Sequence, residues 1–149
     1  MPADDPTKVL EGLAKPSGVV KPDSLVFEIE PSKVKEAIKK LKSSYGVTGL
    51  YLSNIVGTDF KDDGVMRIDY FINIYSIDKY IVLRTFLSRE DPRIESILDE
   101  LPGALSAECE TYDLLGVVFE GNPHLKRSFF VPTDIAEKGI FPLRKDSGV

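Results

Sequence analysis

The sequence predicts a single α+β domain with a mainly antiparallel sheet of about four strands, in the order β-α-β-β-β-α-α, plus an extended C-terminal arm. Three observations indicate this fold. First, strand-like runs in the middle of the chain are joined by links too short for crossover connections. Second, the segments on either side repeat apolar residues at helical spacing. Third, the last thirty residues contain many apolar side chains that follow no period. With 149 residues, of which 42% are hydrophobic, the chain is long enough to bury one core.

Composition narrows the possible functions before any motif is considered. A formal net charge of −5 argues against general phosphate binding, for which a basic face is typical. Cys109 is the only cysteine in the sequence, so cysteines can build neither an internal disulfide nor a zinc or iron–sulfur site. No apolar run approaches the ~20 residues that span a bilayer, and residues 1–11 lack the apolar block of a secretory signal. These features favour a cytosolic globular protein with little chemistry of its own.

The first third of the chain is predicted as an arm, a strand and a helix. Residues 1–22 contain four prolines and scattered glycines, which favours an N-terminal arm. Residues 24–30 alternate apolar and polar side chains and are predicted as a strand. Pro31 suits the first turn of a helix, in which apolar residues recur at helical spacing until Gly46 ends it.

Three strands with short connections follow, over residues 48–56, 65–75 and 79–87, which predicts antiparallel hairpins. The second strand alternates cleanly, and its apolar face consists of Met66, Ile68, Tyr70, Ile72 and Ile74. The turn before this strand holds three aspartates but lacks the alternating oxygen ligands and the bidentate glutamate of a calcium loop. It is predicted to be a polar hairpin turn.

Two helices and a short strand complete the predicted domain, which spans residues 23–119. A helix is expected to begin at Asp91-Pro92 and to end before Pro102-Gly103. Its apolar stripe consists of Ile94, Ile97, Leu98 and Leu101. A further helix is predicted over residues 105–115, ending at Gly116, and an edge strand is predicted over residues 117–119.

Residues 120–149 are predicted to form an extended docking arm. This segment has prolines and glycines but no sustained periodicity, which is uncommon inside a compact domain. It also carries too many apolar side chains for a solvated tail, including Phe129, Phe130 and Phe141. These groups must be covered, either by the domain itself or by a partner.

Glu108 is the most informative charged residue, because it shares a helix face with Leu105, Tyr112 and Leu115. A carboxylate in apolar surroundings is costly to bury unless it is paired. Charge-assisted pairing is therefore predicted with basic side chains of the arm, on this chain or on another subunit. The candidates are Arg127, Arg144 and Lys145.

Other chemistry has weaker support in the sequence. Cys109 lies between two glutamates, which disfavour the thiolate and indicate a structural thiol. His124 has no evident partner of the kind that a general base requires. One alternative function stays open, a free-standing small α+β hydrolase or ligand-binding domain that uses Glu108, Asp113 and His124.

Two ordered runs of residues carry a family resemblance. The first is Glu108-x-Glu110-x-Tyr112-Asp113-Leu114-Leu115-Gly116-Val117-x-Phe119-x-Gly121-x-Pro123. The second is Arg127…Pro132-x-Asp134…Phe141-Pro142-Leu143-Arg144-Lys145-Asp146. With Gly57-Thr58-Asp59-Phe60 and Leu101-Pro102-Gly103-Ala104 upstream, they resemble the small, cofactor-free C subunit in the peripheral arm of respiratory complex I, the NADH dehydrogenase family, and its counterparts in membrane-bound hydrogenases and ferredoxin-driven archaeal complexes.

Two positions depart from that family pattern. Cys109 stands where the family usually has arginine, and Asn122 stands where it usually has histidine. The short chain and its ending resemble the hydrogenase-type or sulfur-reducing archaeal members more than the quinone-reducing bacterial ones.

The resemblance implies a non-catalytic assembly subunit of an ion-translocating membrane oxidoreductase, bound peripherally on the cytoplasmic side. It implies no cofactor in this chain, with iron–sulfur clusters and any metal centre in partner subunits. The implied partners are a large hydrogenase-like subunit and a cluster-bearing small subunit. The expected docking residues are Glu108, Glu110, Tyr112, Asp113, Gly116, Phe119, Gly121, Pro123, Arg127, Phe129, Pro132, Phe141, Pro142, Leu143, Arg144, Lys145 and Asp146.

Overall fold

A five-stranded sheet forms the centre of the computed structural model, which describes residues 5–20 and 24–149. Its strands are β1 (Ala14–Val20), β2 (Ser24–Ile29), β3 (Leu50–Phe60), β4 (Val65–Ile74) and β5 (Lys79–Ser88), in the spatial order β1-β2-β5-β4-β3. Only β2 and β5 pair in parallel; the other neighbours are antiparallel. The predicted α+β fold with a mainly antiparallel sheet is confirmed, with one strand more than expected.

In the described residues, four α-helices and a second, two-stranded sheet accompany the central sheet. The helices are α1 (Pro6–Val9), α2 (Val34–Tyr45), α3 (Ala104–Leu115) and α4 (Thr133–Glu137). The small sheet pairs β6 (Arg93–Glu95) in parallel with β7 (Val118–Glu120). The predictions of a helix closed by Gly46, a helix closed by Gly116 and a short strand after it are confirmed.

The predicted N-terminal arm is wrong over the residues that can be compared. Strand β1 pairs antiparallel with β2, and Leu10 is fully buried after α1. Two of the four prolines that suggested an arm lie at described positions where proline costs little: Pro6 begins α1, and Pro16 lies at a register shift of an edge strand. The predicted boundary between residues 22 and 23 therefore falls between two strands that pair with each other. Residues 1–4 and 21–23, which belong to the predicted arm and its boundary, lie outside the described residues.

The helix predicted to begin at Asp91-Pro92 is also wrong, because β6 forms there instead. Its backbone pairs with β7, and the N–H of Ser96 donates to the carbonyl of Glu120 (2.8 Å). The residues of the predicted stripe are nevertheless mostly buried: Ile94, Ile97 and Leu101. A short strand followed by one turn can bury residues that have the spacing of a helical stripe. Spacing alone therefore does not distinguish a helix from a strand and turn in this segment.

Helices α2 and α3 cover the same face of the sheet. The face predicted from Met66 to Ile74 packs into one cluster with Ile38 and Leu41 of α2 and Leu115 of α3. Each of these side chains is at most 2% exposed. Burial of this apolar face is the main source of stability for the domain.

Gly57 sets how closely α3 approaches β3. A Cβ atom at this position would lie 2.3 Å from Cδ1 of Leu115. Because Leu115 is itself buried, its side chain has little room to withdraw. The glycine therefore fixes the place where the end of α3 rests on the sheet.

Gly57→Ala is expected to lower the free energy of unfolding by about 1–3 kcal/mol, because the added methyl group overpacks the contact with Leu115. Equilibrium urea denaturation measures this change. Gly103→Ala is the matched control, since a Cβ at Gly103 meets nothing within 4 Å and its φ of −63° suits alanine. Equal losses in the two variants would contradict the close approach at Gly57.

Candidate interaction site at the C-terminal segment

The carboxylate of Asp113 organises the first part of the C-terminal segment (residues 121–149). Asp113 lies on α3 and is fully buried. One of its oxygens accepts from Nε of Arg127 (2.8 Å) and from the N–H of Ser128 (3.1 Å). The other accepts from the N–H groups of Phe130 (2.8 Å) and Val131 (2.7 Å). One side chain thus fixes the backbone over residues 128–131.

Arg127 connects Asp113 to the later part of the segment. Its Nη2 donates to the carbonyl of Ile140, and its guanidinium lies 4.2 Å from the ring centroid of Phe141. The ring of Tyr112 meets Phe141 edge-on, with 6.2 Å between the ring centroids. The arginine therefore joins α3 to residues 140–141, which follow α4 in the chain.

Gly116 allows the Phe141 ring to come close to the end of α3. Its φ of 80° is the left-handed conformation that ends a helix and that glycine adopts freely. A Cβ at this position would lie 3.2 Å from ring atoms of Phe141. Gly116 therefore ends α3 and leaves space for the Phe141 ring of the same chain.

A second set of charge-assisted hydrogen bonds holds the final residues. Arg89 donates from Nε to Oδ1 of Asp59 (2.6 Å) and from Nη2 to Oδ2 (3.0 Å), and Nη2 also lies 2.9 Å from Oδ1 of Asp146. The backbone N–H of Lys145 donates to Asp59 (2.7 Å). Arg144 donates to the carbonyls of Leu115 (3.2 Å) and Arg89 (3.1 Å). Residues 144–146 are therefore tied to both the sheet and α3.

Two of the buried aspartates, Asp113 and Asp59, are held in their charged form. Burial raises the pKa of Asp113, but the guanidinium of Arg127 and the three backbone N–H groups outweigh it and leave the pKa below its ordinary value. The hydrogen bonds from Arg89 hold the pKa of Asp59 below its ordinary value, with a further contribution from the N–H of Lys145. Both carboxylates thus remain ionised, as the ion pairs require.

The predicted pairing of Glu108 with arginine or lysine is wrong. Its carboxylate is fully buried and accepts from Ser96 Oγ (2.5 and 3.1 Å), from the N–H of Ile97 (3.1 Å) and from Asn122 Nδ2 (3.1 Å). Five residues along a helix correspond to a rotation of about 140°, so Glu108 and Asp113 leave α3 in different directions. Burial raises the pKa of Glu108 despite these three donors.

The alternative of a hydrolase finds no support in this geometry. Glu108 and Asp113 are both enclosed in protein hydrogen bonds, so neither is accessible to a substrate. His124 is exposed, and its backbone N–H donates to Oδ1 of Asn122 (2.8 Å). Cys109 is buried, and burial raises the pKa of its thiol, as expected for a structural residue. Within residues 5–20 and 24–149, no cluster of three or more His, Cys, Asp or Glu side chains could hold a metal ion.

The C-terminal segment differs from the predicted extended arm. It folds back onto α3 and contains the five-residue helix α4, and Val131 and Ala136 are buried against the domain. An arm that leaves the domain is therefore not observed. The prolines and glycines of this segment serve irregular turns that are held by hydrogen bonds from buried side chains.

The predicted docking residues divide into two groups. One group is buried or half-buried: Glu108, Glu110, Tyr112, Asp113, Gly116, Phe119, Arg127, Phe141, Pro142 and Arg144. The other group is exposed: Gly121, Pro123, Phe129, Pro132, Leu143, Lys145 and Asp146. Among these, Phe129 is 42% exposed and Leu143 is 54% exposed, and the neighbouring Phe130 reaches 65%.

Several residues of the site carried no usable sequence signal. Ser96 and Asn122 hold Glu108, and Arg89 holds Asp59, across 12, 14 and 30 positions of the chain. Asp59 belongs to the run Gly57-Thr58-Asp59-Phe60, which contributed to the family resemblance, but its spacing suggested only a polar turn. A buried partner contributed by another element cannot be identified from local spacing.

The chain is a small α+β domain whose buried ion pairs order its own C-terminal segment and whose Phe129 and Phe130 are exposed. The profile of a protein family, described as respiratory-chain NADH dehydrogenase, 30 Kd subunit, matches residues 27–149. The chain belongs to this family. The predicted resemblance to the C subunit of complex I is confirmed. Of the helices in the described part of the chain, none has the length and low polarity that a bilayer crossing requires.

Two relatives that are similar in sequence support this family assignment. The C subunit of the F(420)H(2) dehydrogenase of Methanosarcina mazei is 31% identical over 130 residues, which cover 87% of this chain and 79% of the relative. The C subunit of the NADH-quinone oxidoreductase of Rickettsia felis is 29% identical over 145 residues, covering 93% and 68%.

Two solved structures share the fold. A chain of the membrane-bound sulfane sulfur reductase, an archaeal respiratory membrane complex, superposes with a TM-score of 0.79 at 21% identity, covering 94% of this chain and 81% of that one. A trypsin-resistant fragment of Nqo5 superposes with a TM-score of 0.62 at 24% identity, covering 75% and 88%.

Asp113→Ala is expected to lower the free energy of unfolding by about 3–5 kcal/mol, because Arg127 and three backbone N–H groups lose their acceptor. Urea denaturation measures the loss, and limited proteolysis should cut residues 128–143 first. Glu110→Ala on the same helix is the matched control and should change stability by no more than about 0.5 kcal/mol. A stable Asp113→Ala variant with a protected C-terminal segment would rule out this role.

Stability should fall on acidification, and Asp113 should be one of the causes. A carboxyl with a lowered native pKa contributes stability above the unfolded pKa of about 3.9, and that contribution is lost as pH falls through the native pKa. Glu108 acts in the opposite sense, because its raised pKa disfavours the native state while it is charged. Urea denaturation between neutral pH and about pH 3 should show a smaller decrease for Asp113→Ala than for the unsubstituted chain. Identical pH curves would contradict the assignment.

Proposed function

We propose that this chain is a non-catalytic assembly subunit of the cytoplasmic arm of a complex-I-like, ion-translocating membrane oxidoreductase. Its partners would be the large hydrogenase-like subunit and the cluster-bearing small subunit. Membership in the 30 Kd subunit family supports the proposal, as does the likeness to subunits named for F(420)H(2) dehydrogenase and NADH-quinone oxidoreductase. A peripheral position in a membrane complex follows from this assignment.

One structural observation carries the proposal. Phe130 and Leu143 are more than half exposed, although their backbone N–H groups are fixed, by Asp113 in one case and by the carbonyl of Leu114 (3.0 Å) in the other. A solvated loop would gain nothing from presenting apolar side chains to water on a fixed backbone. A docking surface gains affinity from it, because little conformational entropy remains to be lost on binding.

A nearby groove extends the same surface. It lies between α3 and residues 123–129, and Leu105, Leu125 and Phe129 line it. Leu105 is 38% exposed on α3. Aromatic and aliphatic side chains around a shallow groove fit an apolar anchor from a partner.

Electron transfer is assigned to other subunits in this proposal. Cys109 is buried with a raised pKa, and the carboxylates of Glu108 and Asp113 on α3 are saturated with donors from this chain. The chain itself would hold no cofactor. Iron–sulfur clusters, any metal centre, and the choice of electron donor and acceptor would belong to the partners.

Phe130→Asp and Leu143→Asp are each expected to abolish co-purification of the tagged chain with the other subunits of the membrane complex. Each variant should keep its melting temperature, because both side chains are exposed. Val47→Asp is the control, since Val47 is 76% exposed in the loop after α2. A complex that assembles fully with both charged variants would refute docking through this segment.

A further inference from the structure

Two buried carboxylates of α3 hold the loop that follows β7. Near the start of this loop, Nδ2 of Asn122 donates to Glu108 (3.1 Å), and Oδ1 of Asn122 accepts from the N–H of His124 (2.8 Å). Further along, the N–H of Ser128 donates to Asp113 (3.1 Å). Both carboxylates are fully buried, and such groups are costly unless their donors stay in place. The loop between these two attachments therefore has a defined position on α3.

The groove between α3 and this loop has an apolar floor and apolar sides. Cys109 and Leu125 line it although they are buried and half-buried, so they form its floor, and Leu105 and Phe129 are exposed at its sides. The thiol of Cys109 donates to the carbonyl of His124 (3.5 Å), which is a further link across the floor. The volume of about 400 Å³ leaves room for apolar side chains, since about 150 Å³ accommodates a benzene ring.

The polar side chains that line this groove, Lys126 and His124, are both basic, and no carboxylate lines it. Lys126 is exposed, and it makes no hydrogen bond or ion pair with the residues that the structure describes. Its neighbour Arg127 is instead paired with Asp113 (2.8 Å). The buried carboxylate of Glu108 already has its donors, so it does not serve Lys126. The groove thus presents a positive charge that this chain leaves without a counter-charge.

We infer that this groove binds a segment of another subunit of the complex, which inserts an apolar side chain and places a carboxylate beside Lys126. The inference rests on the proposed function. A carboxylate from the partner supplies the charge complementarity that a groove with only basic polar groups requires. Because the loop is held before binding, little conformational entropy is lost when the groove is filled.

The groove is poorly suited to nucleic acid or to a membrane surface. Nucleic acid is bound by neutralising several phosphates, and anionic lipids are recognised by clusters of lysine and arginine. This groove offers one lysine among apolar side chains, in a chain whose net charge is −5. A protein segment needs only an apolar anchor for the groove and one acidic neighbour for Lys126.

Carbodiimide cross-linking in the assembled complex tests for the carboxylate directly. A water-soluble carbodiimide joins a lysine amine to a carboxylate that touches it, and the water that is lost converts the reagent to a urea. We expect mass spectrometry to find Lys126 joined to an aspartate or glutamate of one other subunit, in a segment that also carries an apolar residue. Lys126→Arg is the control, because it keeps the charge and the co-purification but cannot form this cross-link.

A charge reversal gives a second measurement. Lys126→Glu is expected to lower the fraction of chain retained on the purified complex after a salt wash by about tenfold. Lys61→Glu is the matched control, because Lys61 is exposed in the turn between β3 and β4 and does not line the groove. Both variants should keep their melting temperatures, since both side chains are exposed. Equal retention of the two variants would overturn the role of Lys126.

The remaining outcomes separate the two proposals. Suppose that the chain co-purifies with other subunits, but Lys126 forms no cross-link, or only links to its own chain or to a second copy of it. This result would overturn the groove inference alone, because docking through Phe130 and Leu143 is measured by other variants. A chain that co-purifies with no other subunit would overturn the proposed function and this inference with it.

Discussion

The structure depends on a buried carboxylate that the rest of the domain cannot satisfy. Asp113 is enclosed at the base of the C-terminal segment, and all four of its hydrogen bonds come from that segment. A charge buried without such donors costs several kcal/mol, so α3 and residues 127–131 are stable only together. The sequence predicted residues 120–149 to be an extended docking arm, distinct from the domain. The ion pair makes that expectation untenable, because removal of Arg127 would leave Asp113 charged in the interior.

The end of α3 shows how the segment also completes the helix. The last carbonyls of a helix have no partner within it. Here the carbonyl of Leu114 accepts from the N–H of Leu143, and that of Leu115 accepts from the guanidinium of Arg144. A cation at a helix C-terminus is also favoured by the helix dipole. Asp59 and Arg89 then tie the same residues to the sheet, so helix, sheet and segment form one cooperative unit.

Periodicity predicted the parts of the fold that depend on one-sided burial. The alternation in β4 and the helical spacing in α2 place their apolar residues where the structure buries them. Pairing was harder to predict, because it depends on elements distant in sequence. The stripe from Ile94 to Leu101 is buried as expected, yet β7 draws residues 93–95 into a strand. Likewise, the burial of Glu108 is evident from its neighbours on the helix, but its donors Ser96 and Asn122 are defined only once β6 and β7 meet. The sequence predicted an ion pair between Glu108 and a basic residue of the C-terminal segment. Arg127 does form an ion pair with α3, but its partner is Asp113.

Rigidity explains why so small a chain can serve as an assembly subunit in this proposal. The backbone of the exposed Phe130 is fixed by Asp113 of α3, and α3 packs on the core face of the sheet. Close packing at Gly57 and hydrogen-bonded strand pairing leave little freedom between α3 and the sheet. Under the proposed function, the domain would therefore present the C-terminal segment to a partner at a fixed position, without a conformational change of its own.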